Sequence, residues 1–286
     1  MFFSSWLRQP NAKPRISRRA ASTFRPRLEV LEGREVPSTL KVTNLLDSGP
    51  GSLRCEIAQA ISGDTIVFDH KLGGQTITLT SGELVISKSL TIKGQGETIT
   101  SQKWVDASLT NHNGSRIFEV DGAGTTVAIS GLTLRNGGGI HVPGQGWAYD
   151  GDGGAILNFG TLTVSGCTLS GNAGLNGGGI YNSRIFGGGT LTVSGCTLSG
   201  NAATGNGSGA NTGTALDYGY GGGIYNDVGT LTVSGCTLSG NAAYSGGGIY
   251  SAGAAGALTV LDSIFSSNTP DSVYGAYTDG GGNTFK

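Results

Sequence analysis

The chain has 286 residues, a formal charge of −1, 53 glycines and only 7 prolines, and glycine does not fall at every third position, which excludes collagen. Charged residues make up 13%, about half the usual share, which argues against a highly charged disordered chain and against a basic nucleic-acid binder. No apolar run reaches the ~18 residues of a membrane-crossing helix, and the prevalence of Thr, Val, Ile, Gly and Ser predicts an all-β chain.

In chain order, residues 1–38 form a basic tail, read as disordered or processed. Its first 36 residues hold eight of the 18 Lys and Arg and three acids, with no apolar period. One domain then covers 39–286. Residues 39–63 are expected to cap it. Ser52 is a natural N-cap for a helix over 52–61, with Leu53, Ile57, Ala60 and Ile61 on one face. Less regular coils follow over 64–136, with strands at Asp64–Phe68, Thr76–Leu79 and Leu90–Ile92. Glycine-rich repeats fill 137–268, and 269–286 are expected to form a C-terminal cap.

The repeat is the strongest signal. Thr161 to Asn172, reading TLTVSGCTLSGN, returns at Thr190 to Asn201 and Thr230 to Asn241, with a degenerate copy at Ala257 to Asn268. A second element accompanies each copy, at Gly153-Gly-Ala-Ile156, Gly177-Gly-Gly-Ile180, Gly221-Gly-Gly-Ile224 and Gly246-Gly-Gly-Ile249. Alternation in Leu-Thr-Val turns Leu and Val to one side and Thr to the other. Ser-Gly bends the chain, Cys-Thr-Leu resumes the alternation, and Gly-Gly-Ile-Tyr supplies a third strand. Three strands in a turn of about 24 to 29 residues predict a right-handed parallel β-helix of about seven coils with a short N-terminal capping helix. The longer stretch Ala202 to Tyr220 is read as a surface insertion, which a solenoid tolerates because loops leave the stack.

Stacking identical turns creates columns. Asn158, Asn182 and Asn226 form one amide ladder, and Asn172, Asn201, Asn241 and Asn268 another, each read as structural. Cys167, Cys196 and Cys236 share a third column and are expected to be buried and reduced. In-register neighbours sit too far apart for a disulfide, and three cysteines cannot all pair. Tyr181, Tyr225 and Tyr250 each follow an inward Ile, so they are expected to point outward, with Leu157 and His141 in the same place in earlier turns. Together with Tyr218 and Tyr220 from the insertion they are the candidate binding residues, suited to sugar rings.

Several segments resemble a known group. Asp47-Ser-Gly-Pro-Gly-Ser-Leu-Arg54, Asp64-Thr-Ile-Val-Phe-Asp69 and Ser89-Leu-Thr-Ile-Lys-Gly94 resemble the entry segment of bacterial β-helix proteins of the pectin-lyase-like class. Gly153-Gly-Ala-Ile156 and Phe265-Ser-Ser-Asn268 are similar to the paired motifs of polymorphic outer-membrane protein repeats. Arg27 to Ser38 resembles a short motif preceding large bacterial surface proteins. The resemblance implies the β-helix fold and a location outside the cell or on the bacterial surface. Enzymes of this fold act on polysaccharides with carboxylate clusters, often holding calcium, plus an Arg or Lys base, or with several Asp and a Gly-His-Gly element.

Little of that chemistry is visible in the sequence. His70, His112 and His141 are scattered and Gly-His-Gly is absent. Asp150 and Asp152 are the one tight acidic pair of the repeat half, read as a solvated turn, with Arg135 or Arg184 on a nearby coil. Asp150-Gly-Asp152 begins like a calcium loop without the remaining ligands, so no cofactor is expected. From Trp104 to Phe285 there is no lysine, which gives nucleic acid little to hold. The expected function is a secreted or cell-surface β-helix for adhesion, structure or glycan contact, without catalysis. The alternative is a carbohydrate-active enzyme of lyase or hydrolase type acting on an acidic polysaccharide.

Overall fold

The computed structural model describes residues 36–102, 104–106, 109–112, 114–139, 151–183, 189–205, 219–254 and 257–286. Three parallel sheets of nine, eight and seven strands run the length of a right-handed β-helix. Strands of successive coils are neighbours in each sheet, and seven complete three-strand coils lie between Thr65 and Tyr274.

Self-similarity fixes the register. Thr161–Ser165 pairs residue for residue with Thr190–Ser194, and that strand with Thr230–Ser234, so Leu falls on Leu and Val on Val. In the first sheet one inward column runs through Ile66, Ile92, Ile129, Val164, Val193, Val233 and Val260, all buried. Each such side chain contributes roughly 1.5–3 kcal/mol on burial. A one-residue slip would turn the whole set outward. Thr168–Ser170 and its repeats form the second sheet, and Ile180–Ser183 with its repeats the third. The corner before the third sheet demands glycine: Gly221 has φ +70°, and a Cβ there would run into the carbonyl of Ile224.

The helix is shorter than expected, at Leu53–Gln59, and will be called α1. Ser52 caps it by accepting from the Cys55 amide at 3.2 Å, and Leu53 and Ile57 face the core, as does Ala60 just beyond it. Ile61 falls outside the helix and is only half-buried. α1 packs against Thr39–Val42 and Leu84–Ile86, the first strands of the first and third sheets.

Both ends differ in detail from the sequence reading. Thr39–Val42, expected within the cap, is already the first strand of the first sheet. Residues 269–286, expected as a cap, continue the solenoid. Val273–Tyr274 ends the third sheet, Thr278–Asp279 the first and Thr284–Phe285 the second. Of the basic tail, residues 1–35 lie outside the described residues.

The amide ladders stand at two of the corners. Asn158 donates to Asn182 Oδ1 at 2.7 Å, Asn182 to Asn226 Oδ1 at 2.7 Å, and Asn226 to Ser251 Oγ at 3.2 Å. Asn172, Asn201 and Asn241 each donate to the next amide oxygen at 2.9 Å, the last receiver being Asn268. Each also caps a leucine carbonyl one coil back, as Asn201 does at Leu169 O, 3.0 Å away. The three column cysteines are buried and free. Two of their sulfurs accept from the backbone of the coil before: Cys167 N reaches Cys196 Sγ at 3.3 Å and Cys196 N reaches Cys236 Sγ at 3.4 Å. The side-chain contact with Cys167 leads the causes that push the Cys196 thiol up to about 11, so it is protonated at neutral pH.

Candidate functional site

The outward column of the third sheet is rich in tyrosine. It runs Val85, Glu119, Leu157, Tyr181, Tyr225, Tyr250 and Tyr274 on seven successive strands. Two expectations change here. Glu119, not His141, occupies the coil before Leu157, and His141 lies outside the described residues. Nor is the column uniformly exposed. Tyr181 is only 5% accessible and forms a second apolar cluster with Leu157 and Phe159, against which Tyr225 packs. The column opens toward its C-terminal end, where Tyr274 is 49% accessible.

The rings stack on one another. Centroids lie 4.9 Å apart for Tyr181 and Tyr225, 5.3 Å for Tyr225 and Tyr250, and 4.8 Å for Tyr250 and Tyr274, the last pair only 10° from parallel. Tyr220 adds a ring 4.7 Å from Tyr250, and Tyr244, 60% accessible, meets it edge-on at 6.1 Å. Tyr218 lies outside the described residues. Because neighbours cover the faces of the inner rings, the column meets solvent with ring edges and phenol oxygens. Stacking of a sugar ring is therefore confined to the open end, at Tyr274 and the Tyr220–Tyr244 corner.

Beside the buried half of the column lies a polar cluster that the sequence did not reveal. Asp152, read as part of a solvated turn, is 7% accessible. Its Oδ1 accepts from the Asn176 amide and from Asn176 Nδ2, both at 3.0 Å. Burial pushes its carboxyl up to about 7, against the pull of these hydrogen bonds and of Arg116. Arg116, 2% accessible, donates from Nη1 to Glu83 Oε2 at 2.6 Å and to Glu119 Oε2 at 3.0 Å, and from Nε to the Asp152 carbonyl at 3.0 Å. Tyr181 donates its hydroxyl to Asp227 Oδ2 at 3.2 Å, and burial raises its phenol far above the ordinary value.

Arg135 stands on the second sheet between Thr100 and Ser170. Asp150 and Arg184 lie outside the described residues. The signal for Arg116 was its isolation in a half of the chain without lysine; of its partners only Glu119, three residues on, is local in sequence. Chemically, a carboxyl poised near 7 can give or take a proton. Among the described residues no group of three or more His, Cys, Asp or Glu converges to hold a metal, and no helix is long and apolar enough to cross a membrane.

No protein-family model matches the chain. No curated protein matches it in sequence.

Proposed function

We propose that this protein is a secreted or cell-surface β-helix that contacts glycan through the open end of the tyrosine column. The observation that carries the reading is the convergence of Tyr220, Tyr244, Tyr250 and Tyr274 on one corner of the third sheet. A half-exposed aromatic cluster with phenol donors fits a sugar, whose ring offers an apolar face and a hydroxyl rim. The similarity of the paired motifs to polymorphic outer-membrane protein repeats, and of the entry segment to the pectin-lyase-like class, supports a bacterial surface location. The test is a glycan array with the full chain and with Tyr274→Ala. Binding lost in the variant, with its β circular dichroism intact, supports the reading; equal binding by both removes the tyrosine corner from it.

A second reading, a carbohydrate-active enzyme, is favoured by Asp152 alone, a buried carboxyl near 7. Its test is release of unsaturated or reducing ends from uronate polymers. Turnover by the wild type that Asp152→Asn abolishes would replace the binding reading with the enzymatic one.

A further inference from the structure

The outer face of the first sheet is chemically unlike the tyrosine face. In each of three consecutive coils it presents the row Thr-x-Thr-x-Ser, at 161–165, 190–194 and 230–234, and the three rows stand in strict register. Thr126 and Ser130 extend two of its columns one coil back, and Thr259 extends the central one a coil forward. The columns repeat at the strand spacing of ~4.8 Å, and the members of a row at roughly 6.6 Å, two residues along a strand. The result is a two-dimensional grid of hydroxyls; in the three full rows Thr190 and Thr230 are exposed and the other seven are partly accessible.

Two further facts mark this grid as a binding surface. Among the described residues, no hydrogen bond engages the hydroxyl of any of the nine side chains in the three full rows, whereas Ser130 on the flanking coil reaches the Ile92 carbonyl at 3.5 Å. No charged residue stands in those rows; Lys93, in register with Ser130, sits one coil beyond. The hydroxyls are available, neutral and repeated, and threonine is stiff at χ1, so their positions are set before any ligand arrives.

The kind of ligand follows from what such contacts can do. A hydroxyl that exchanges a water for a sugar hydroxyl gains little, and a flexible chain loses conformational freedom on lying down. The rows contain no aromatic side chain, so stacking on a polysaccharide crystal is absent as well. A ligand that is already a rigid, uncharged lattice pays no ordering cost, and its gain grows with every contact in register. We propose that this face binds crystalline water, through the ordered hydroxyls and methyls of the threonine grid, whose spacing is on the scale of the oxygen rows in ice. The inference is independent of the glycan reading, which uses another sheet.

The test is ice-affinity partitioning of the full chain, with inhibition of ice recrystallisation as a second readout. Thr192→Lys places a charge at the centre of the grid, and Ser199→Lys places the same charge outward on the second sheet. We expect the wild type and Ser199→Lys to be enriched in the ice fraction at least tenfold over Thr192→Lys, all three having the same β circular dichroism. Exclusion of the folded wild type from ice would overturn the proposal. So would equal partitioning of Thr192→Lys, equal loss in both variants, or a wild type that leaves ice alone and sediments with crystalline chitin. If Thr192→Lys fails to fold, Thr192→Ser, which keeps the hydroxyl and removes the methyl, takes its place and must lower partitioning several-fold.

Discussion

Replacing Asn201 by alanine isolates the contribution of one rung of the amide ladder. Asn201 Oδ1 accepts from the Asn172 amide at 3.1 Å and from Asn172 Nδ2 at 2.9 Å, while its own Nδ2 donates to Leu169 O and Asn241 Oδ1. Asn172, Asn201 and Asn241 are all fully buried. Alanine therefore strands two donors of Asn172 and removes a donor from the Leu169 carbonyl, in a place closed to bulk solvent. A buried group left without its partner costs roughly 1–3 kcal/mol. Two stranded donors set the loss at about 4 kcal/mol, a large part of the stability of an ordinary domain. Asn268 serves as the control. It fills the same role for Asn241, accepting at 3.1 and 2.9 Å, but at a half-exposed position where water can step in, so Asn268→Ala should cost about 1 kcal/mol. Urea unfolding followed by circular dichroism and by tryptophan fluorescence measures both, and coincidence of the two transitions licenses the comparison. Equal losses in the two variants would refute the reasoning, since the ladder would then owe its worth to the turn backbone and not to buried amide pairing.

The cysteine column makes a chemical prediction. Ser263 Oγ already accepts from the Cys236 amide at 3.1 Å in the next coil, so Cys196→Ser should change stability by less than about 1 kcal/mol, while Cys196→Ala strands the Cys167 amide and should cost about 2 kcal/mol; thermal melts of the pair check this. Asp47 predicts loss of stability in acid. Burial opposes its ionisation, yet hydrogen bonds from Ser81, Arg54 and Thr80 outweigh burial and hold its carboxyl down at about 2. Its folded value lies below the unfolded one, so the stabilisation, about 1 kcal/mol after screening by solvent at this partly exposed site, is present above pH 4 and lost as pH falls from 4 to 2; Asp47→Asn should remove that part of the pH profile. Asp152 has the opposite sign. Its folded value near 7 exceeds the unfolded 3.8, so the stability of the neutral form is full below pH 4 and drains as pH rises through 7. Asp152→Asn should be nearly neutral at pH 4 and stabilising at pH 8, by roughly 4 kcal/mol at most, and an unchanged difference between the two pH values would show that the carboxyl is not held neutral.

Repetition made the solenoid legible. When Thr161–Ser165 recurs almost unchanged, the best partner for each copy is another copy, so one alignment of the sequence on itself yields strand positions, inward columns, amide ladders and the thiol column together. α1 could be read locally because a cap and a one-sided apolar face lie within ten residues. The third sheet's outer face could not be read in this way. Whether Tyr181 is exposed depends on Leu157 and Phe159 of the neighbouring coil, and Glu119 takes the place expected for His141 because coils of unequal length hide the register. Arg116 meets Glu83 from 33 residues back and the Asp152 carbonyl from 36 ahead, and none of these residues repeats. Inward positions are dictated by a periodic apolar pattern that the chain itself displays. The burial of Asp152, which sets its charge, arises only when non-repeating residues of several coils close around it, and that environment exists in the folded stack alone.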